Sequence, residues 1–245
     1  MTRRTGPNFY VLLVGATLSL ASCGGEEPDK VEEVVQEALG ISGFPAGLTC
    51  GLSYKNNAGT HADGVCNGVS TLFSGAAPGF RNVGDGDRGL PAGKGFFHQA
   101  FVGDANVNSS NSNQVRLPKG TACGFKETCN SPGETCLGFD PGAGQCPPGW
   151  VAKVGSDSNA PGNCFFAWCE YQDPNNLCTT QACLYDNQPL GLVCGITDND
   201  RNNGQCQGRL TTTGCPWGYS RYGFYDDGRS SGHGVGWCAK NIVVP

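Results

Sequence analysis

The chain has 245 residues, among them 39 glycines, 15 prolines and 15 cysteines, and carries a formal net charge of −5 from 16 basic and 21 acidic side chains. An acidic balance with no basic stripe excludes nucleic acid as a partner. Glycine and proline every few residues leave no room for long helices, and cysteine at this density points to an oxidising compartment.

Residues 1–22 open with Arg3 and Arg4, continue with an apolar run from Phe9 to Leu20 and end in small residues. That order predicts a secretory signal, and the run is too short to span a bilayer as a helix. Its end, Leu20-Ala21-Ser22-Cys23, resembles the lipobox of bacterial lipoproteins. The resemblance covers residues 1–25 only. It implies that Cys23 is acylated and becomes the new N-terminus, so that the membrane partner is reached through a lipid anchor. Gly24 and Gly25, with no aspartate after the cysteine, imply outer-membrane sorting, with the protein facing the periplasm or the cell surface.

Residues 23–44 form an acidic stalk, with Glu26, Glu27, Asp29, Glu32, Glu33 and Glu37 against Lys30. Pro28 suits a first helical turn, Val31, Val34, Val35, Ala38 and Leu39 fall at helical spacing, and Gly40 is a stop, which predicts a short amphipathic helix. Beyond it thirteen basic and fifteen acidic residues remain, close to neutrality.

From Pro45 the motif Pro-x-Gly-x-x-Cys-Gly occurs at 45–51, 118–124 and 189–195. These spacings predict three internal repeats, residues 45–117, 118–188 and 189–245, built as small, mainly β, disulfide-rich modules. Aromatic and β-branched runs at 95–102, 149–154, 164–171 and 219–225 are the expected strands. The uncharged stretch 107–114 reads as a connection between the first two copies.

Without Cys23, fourteen cysteines remain, enough for seven bridges. Comparison of the copies assigns them. Those kept in all three give Cys50–Cys66, Cys123–Cys136 and Cys194–Cys206. Cys146 and Cys169, and likewise Cys215 and Cys238, lie 23 residues apart, and the first copy lacks both, with Ala76 at the first position. Overlaying residues 93–97 on residues 162–166 sets Ala100 against Cys169, Gln99 against Trp168 and His98 against Ala167. Two cysteines that vanish together are bonded, which pairs Cys146 with Cys169 and Cys215 with Cys238. Cys129, Cys164, Cys178 and Cys183 remain, and Cys129–Cys164 with Cys178–Cys183 is the economical assignment, a swap among the four staying open. No Cys-x-x-Cys pair occurs and His61, His98 and His233 lack ligand spacing, so neither a metal nor a cofactor is expected. The acidic loops at 85–87, 198–204 and 226–228 have turn composition, and the second of them is an incomplete match to a calcium loop.

An aromatic recurs as Phe80, Trp150 and Tyr219, which favours a core plug over a stacking platform. Residues peculiar to the third copy are better contact candidates: Trp217, where the other copies carry Pro78 and Pro148, and Tyr219, Arg221, Tyr222 and Tyr225. No nucleophile elbow, zinc-protease motif or phosphate loop is present, and the histidines read as loop residues. The expectation is a lipid-anchored envelope or surface protein for binding or adhesion, with a glycan or an envelope protein as partner. A structural envelope component and a secreted hydrolase are the alternatives.

Overall fold

A computed structural model describes residues 44–56, 59–62, 64–72, 75–84, 95–103, 117–127, 134–156, 165–172, 177–178, 188–198, 204–225 and 234–241. The signal, Cys23, the stalk helix, Cys129, Cys164, Cys183, His233 and the loops at 85–87 and 226–228 lie outside them. Of the loop at 198–204 only its two ends are described, and of Cys178 and His61 only the backbone.

The chain is mainly β. Segment 45–117 contains β1 (Thr49–Asn56), β2 (Gly59–Ala62), β3 (Val65–Cys66), β4 (Val69–Ser70), β5 (Phe80–Val83) and β6 (Gly95–Phe101). Then follow β7 (Leu117–Pro118), β8 (Ala122–Glu127), a 3-10 turn at Pro141–Ala143, β9 (Trp150–Ser156), β10 (Phe165–Tyr171) and β11 (Leu177–Cys178). Segment 189–245 contains β12 (Val193–Asp198), β13 (Gln205–Cys206), β14 (Arg209–Leu210), β15 (Tyr219–Tyr225) and β16 (Val235–Lys240).

Three antiparallel sheets follow one plan. Their centre strands β6, β10 and β16 are flanked by β1 and β5, by β8 and β9, and by β12 and β15, while β2 extends the first sheet beyond β1. The Pro-x-Gly-x-x-Cys-Gly stretch leads into the first strand of each sheet. Its opening residues make a turn closed by Leu48, Thr121 and Leu192, whose N–H groups donate to the carbonyls of Pro45, Pro118 and Pro189. The first glycine of each stretch has φ of +91°, +93° and +88°, the value a type II turn requires at its third residue. The second glycine, at +63°, +67° and +65°, lies where the strand pairing shifts register, so each cysteine is followed by a bulge.

These bulges join the sheets. The N–H of Gly124 donates to Gly47 O, that of Gly195 to Gly120 O, and that of Gly51 to Gly191 O, each at 2.8 Å. The third bond returns to the first segment, so the three segments close a ring. A second set, Leu137 to Ala46, Gln207 to Lys119 and Asn67 to Leu190, follows the same circuit. Its donors are the three non-glycine residues with positive φ among those described. The larger apolar clusters likewise combine residues of different segments. One draws Leu52 and Phe96 from the first, Phe125, Phe166 and Trp168 from the second, and Ile196, Val235 and Trp237 from the third.

Among the described residues five disulfides are present, Cys50–Cys66, Cys123–Cys136, Cys146–Cys169, Cys194–Cys206 and Cys215–Cys238, spanning 12 to 23 residues and each inside one segment. They are the pairs given above by comparing the copies. The register corrects the overlay by one residue, however. Phe96 pairs with Tyr54 as Phe166 pairs with Glu127, and Gln99 is opposite Cys50 as Cys169 is opposite Cys123. Gln99, not Ala100, therefore holds the place of Cys169, and His98 that of Trp168 and Trp237. Adjacent phenylalanines in both segments, Phe96-Phe97 and Phe165-Phe166, fit each other in two ways one residue apart, and the sequence overlay took the wrong one. Where the other segments have a bridge, the side chain of Gln99 reaches across, its Oε1 accepting from the N–H of Ala77 at 2.8 Å.

Replacing Cys146 and Cys169 together by alanine is expected to destabilise the protein by about 3 kcal/mol, the loop-closure entropy returned to the unfolded chain by a bridge of this span. Urea unfolding at equilibrium checks this.

Candidate ligand-contact surface

Three of the four tryptophans, Trp150, Trp168 and Trp237, are buried, whereas Trp217 is 59% exposed. It stands in the turn before β15, where Tyr219 N–H donates to Pro216 O. The same turn is tied to the end of β16, because Asn241 N–H donates to Gly218 O at 3.0 Å.

The structure separates the other third-copy candidates. Tyr219 is buried among Cys194, Cys206, Cys238 and Cys215, and burial pushes its hydroxyl well above the ordinary tyrosine range. Its assignment to the contact surface is thus corrected. It fills the interior as Phe80 and Trp150 do, because the aromatic at this position starts the outer strand of each sheet and turns inward beside the bridge. Arg221 is exposed, and its guanidinium donates to Thr212 O at 3.0 Å. Tyr222 is half-buried and stacks on Trp237, with ring centroids 6.4 Å apart and planes 11° from parallel. The backbone of Tyr225 ends β15, and its side chain lies outside the described residues.

Tyr222 also lines a recess of about 210 Å³. Leu52, Val65, Leu190 and Ala239 also line it, with Gly64, Gly68, Gly191, Lys240 and Asn241. These residues belong to the first and third segments, so the recess lies where the ring closes. Apart from Tyr222 and the motif residues Leu190 and Gly191, none of the lining was singled out in the sequence. Glycine and alanine carry no chemical signal there, and the two halves are more than a hundred residues apart in the chain.

His98, expected in a loop, is instead buried in β6 with its ring edge-on to Phe125 at 5.4 Å. Burial, and after it the charge of Arg81, depresses its pKa to about 3, so the imidazole is neutral at ordinary pH. Both ring nitrogens are buried without a hydrogen-bond partner. The neighbouring junction between the first and second segments holds an ion pair, Arg81 to the buried Glu134 at 2.6 Å, with burial raising the Glu134 pKa against the opposing pull of Arg81 and Lys126. Among the described residues no group of three or more His, Cys, Asp and Glu side chains is placed to hold a metal ion.

Trp217 and the recess beside Tyr222 thus present aromatic and aliphatic surface. Comparison with protein-family models, with curated proteins and with solved structures finds no match for the chain.

Proposed function

We propose that the protein is a lipid-anchored binding or adhesion protein of the cell envelope. In this reading Cys23 carries the lipid, the acidic stalk lifts the body from the membrane, and three copies of one module form the body. The contact surface is on the third copy around Trp217. The observation that carries the reading is the exposure of this one tryptophan in a chain that buries the others. Isolated exposed indoles are uncommon on protein surfaces and frequent at recognition sites. The place of Trp217, where the other copies have Pro78 and Pro148, marks it as a feature of one copy and not of the shared scaffold.

Two measurements test this. Cys23→Ala is expected to move the protein from the membrane fraction to the soluble one and to abolish labelling with palmitate. A glycan array probed with the soluble form lacking Cys23 is expected to give binding that Trp217→Ala weakens about tenfold or more, as loss of a central aromatic contact does. An array without binding, combined with cross-linking to one envelope protein, would replace the glycan partner by a protein.

A further inference from the structure

The ring places equivalent residues at each of its three junctions, so the junctions can be compared position by position. Gly64, Glu134 and Gly204 occupy one equivalent position, two residues before Cys66, Cys136 and Cys206. Ala100, Glu170 and Ala239 occupy another on the centre strands, paired with Thr49, Ala122 and Val193. The first junction carries Glu134 at one of these places, buried and paired with Arg81. The second carries Glu170 at the other, also buried, with Gln172 donating to it and Lys153 at 3.9 Å. The third has Ala239 and Gly64, and no carboxylate at either place. The recess lies at the junction that has no glutamate at either place.

Its lining defines what can enter. Among the described residues no carboxylate lines it, and the lining cation, Lys240, donates from Nζ to Gln188 O at 3.0 Å. A cationic ligand would be desolvated there beside the Lys240 ammonium, so the occupant carries no positive charge. One side of the site is aliphatic, with Leu52, Val65, Leu190 and Ala239, and beside it stands the ring of Tyr222, held by its stacking on Trp237. The other side offers the Asn241 amide and glycine backbone that a ligand can approach closely. A volume of about 210 Å³ accommodates one six-membered ring.

We infer that this recess binds a single pyranose ring without a cationic group, its C–H face against the aliphatic residues and Tyr222 and its hydroxyl edge against Asn241 and the glycine backbone. The inference rests on the glycan reading proposed above and assigns its first subsite. Trp217, on the turn held by Asn241, offers a stacking face to the sugar that follows.

The test is saturation-transfer NMR on the full-length protein in detergent micelles, with N-acetylglucosamine and methyl glucoside as probes. Transfer to the ring C–H protons at millimolar sugar is expected. Two variants fill the recess: Ala239→Glu, which copies the side chain that Glu170 places at the second junction, and Val65→Trp, at a position 40% exposed and tolerant of size. Each is expected to weaken binding at least tenfold, Val65→Trp with an unchanged melting temperature and Ala239→Glu with a lowered one, and Trp217→Ala to leave the single-sugar signal in place. If Ala239→Glu fails to fold, Val65→Trp decides. Full binding by a folded recess-filling variant overturns the subsite while leaving the glycan reading intact. So does absence of transfer from both sugars alongside a positive glycan array. A negative array together with absent transfer overturns both.

Discussion

Gly120→Ala is expected to destabilise the protein by about 3 kcal/mol or more, and Gly144→Ala by only about 1 kcal/mol, although both glycines have positive φ. At Gly144 an added Cβ meets nothing within 4 Å, so the cost is that of the left-handed conformation alone. At Gly120 the Cβ would lie 1.8 Å from the carbonyl oxygen of Gln205, in the next segment of the ring. No rotamer relieves a clash with backbone, so the junction must open and the bond from Gly195 N–H to Gly120 O must go with it. Gly47 and Gly191 meet the carbonyls of Thr135 and Val65 at 2.0 and 1.9 Å and are expected to behave like Gly120. Equilibrium urea unfolding of the four variants measures the contrast, and equal costs for Gly120→Ala and Gly144→Ala would show that the junctions yield.

Acid should weaken the fold through His98. In the unfolded chain its imidazole takes up a proton near the ordinary pKa of 6.5, while in the folded protein it does so only near 3. Between these values the unfolded state binds more protons. The stability associated with the neutral imidazole is thus complete above about pH 6.5 and declines as pH falls towards 3. The slope is about 1.4 kcal/mol per pH unit, for a total of about 5 kcal/mol. Glu134 and Glu170, whose pKa values burial raises, act in the opposite sense, since the folded protein holds their protons at pH values where the unfolded chain releases them. His98→Phe isolates the histidine and retains an aromatic where the other segments have Trp168 and Trp237. Urea midpoints at pH 7.5 and pH 4 should fall steeply for the natural protein and much less for the variant; parallel slopes would remove His98 as the cause.

Much of the framework could be read from the sequence because the motif recurs and because cysteines come and go in pairs. Copies with and without the second bridge identify its partners whatever the register, and the strands at Phe165–Tyr171 and Tyr219–Tyr225 follow from their aromatic content. The slip at Gln99 and His98 shows the limit. Moving a strand by one residue exchanges its faces, and a pair of adjacent phenylalanines gives a sequence overlay no way to choose. Tyr219 was misplaced for a different reason, since its neighbours in the chain, Trp217, Arg221 and Tyr222, share a surface composition while it alone points into the interior. The recess was illegible altogether. It is lined by residues with little chemical signature, Gly64 and Ala239 among them, and only ring closure brings those two positions together.

The division of labour between bridges and backbone bonds bears on how such a chain is made. Each of the five disulfides among the described residues closes a local loop of at most 23 residues, whereas the bond from Gly51 to Gly191 joins the first segment to the third. Each segment can thus oxidise independently of the others, by short and cheap loop closures. Closing the ring requires residues 190 and 191 to meet the first segment and the strands of the third segment, which run to Lys240, to be paired, so it is the step that draws on the most of the chain.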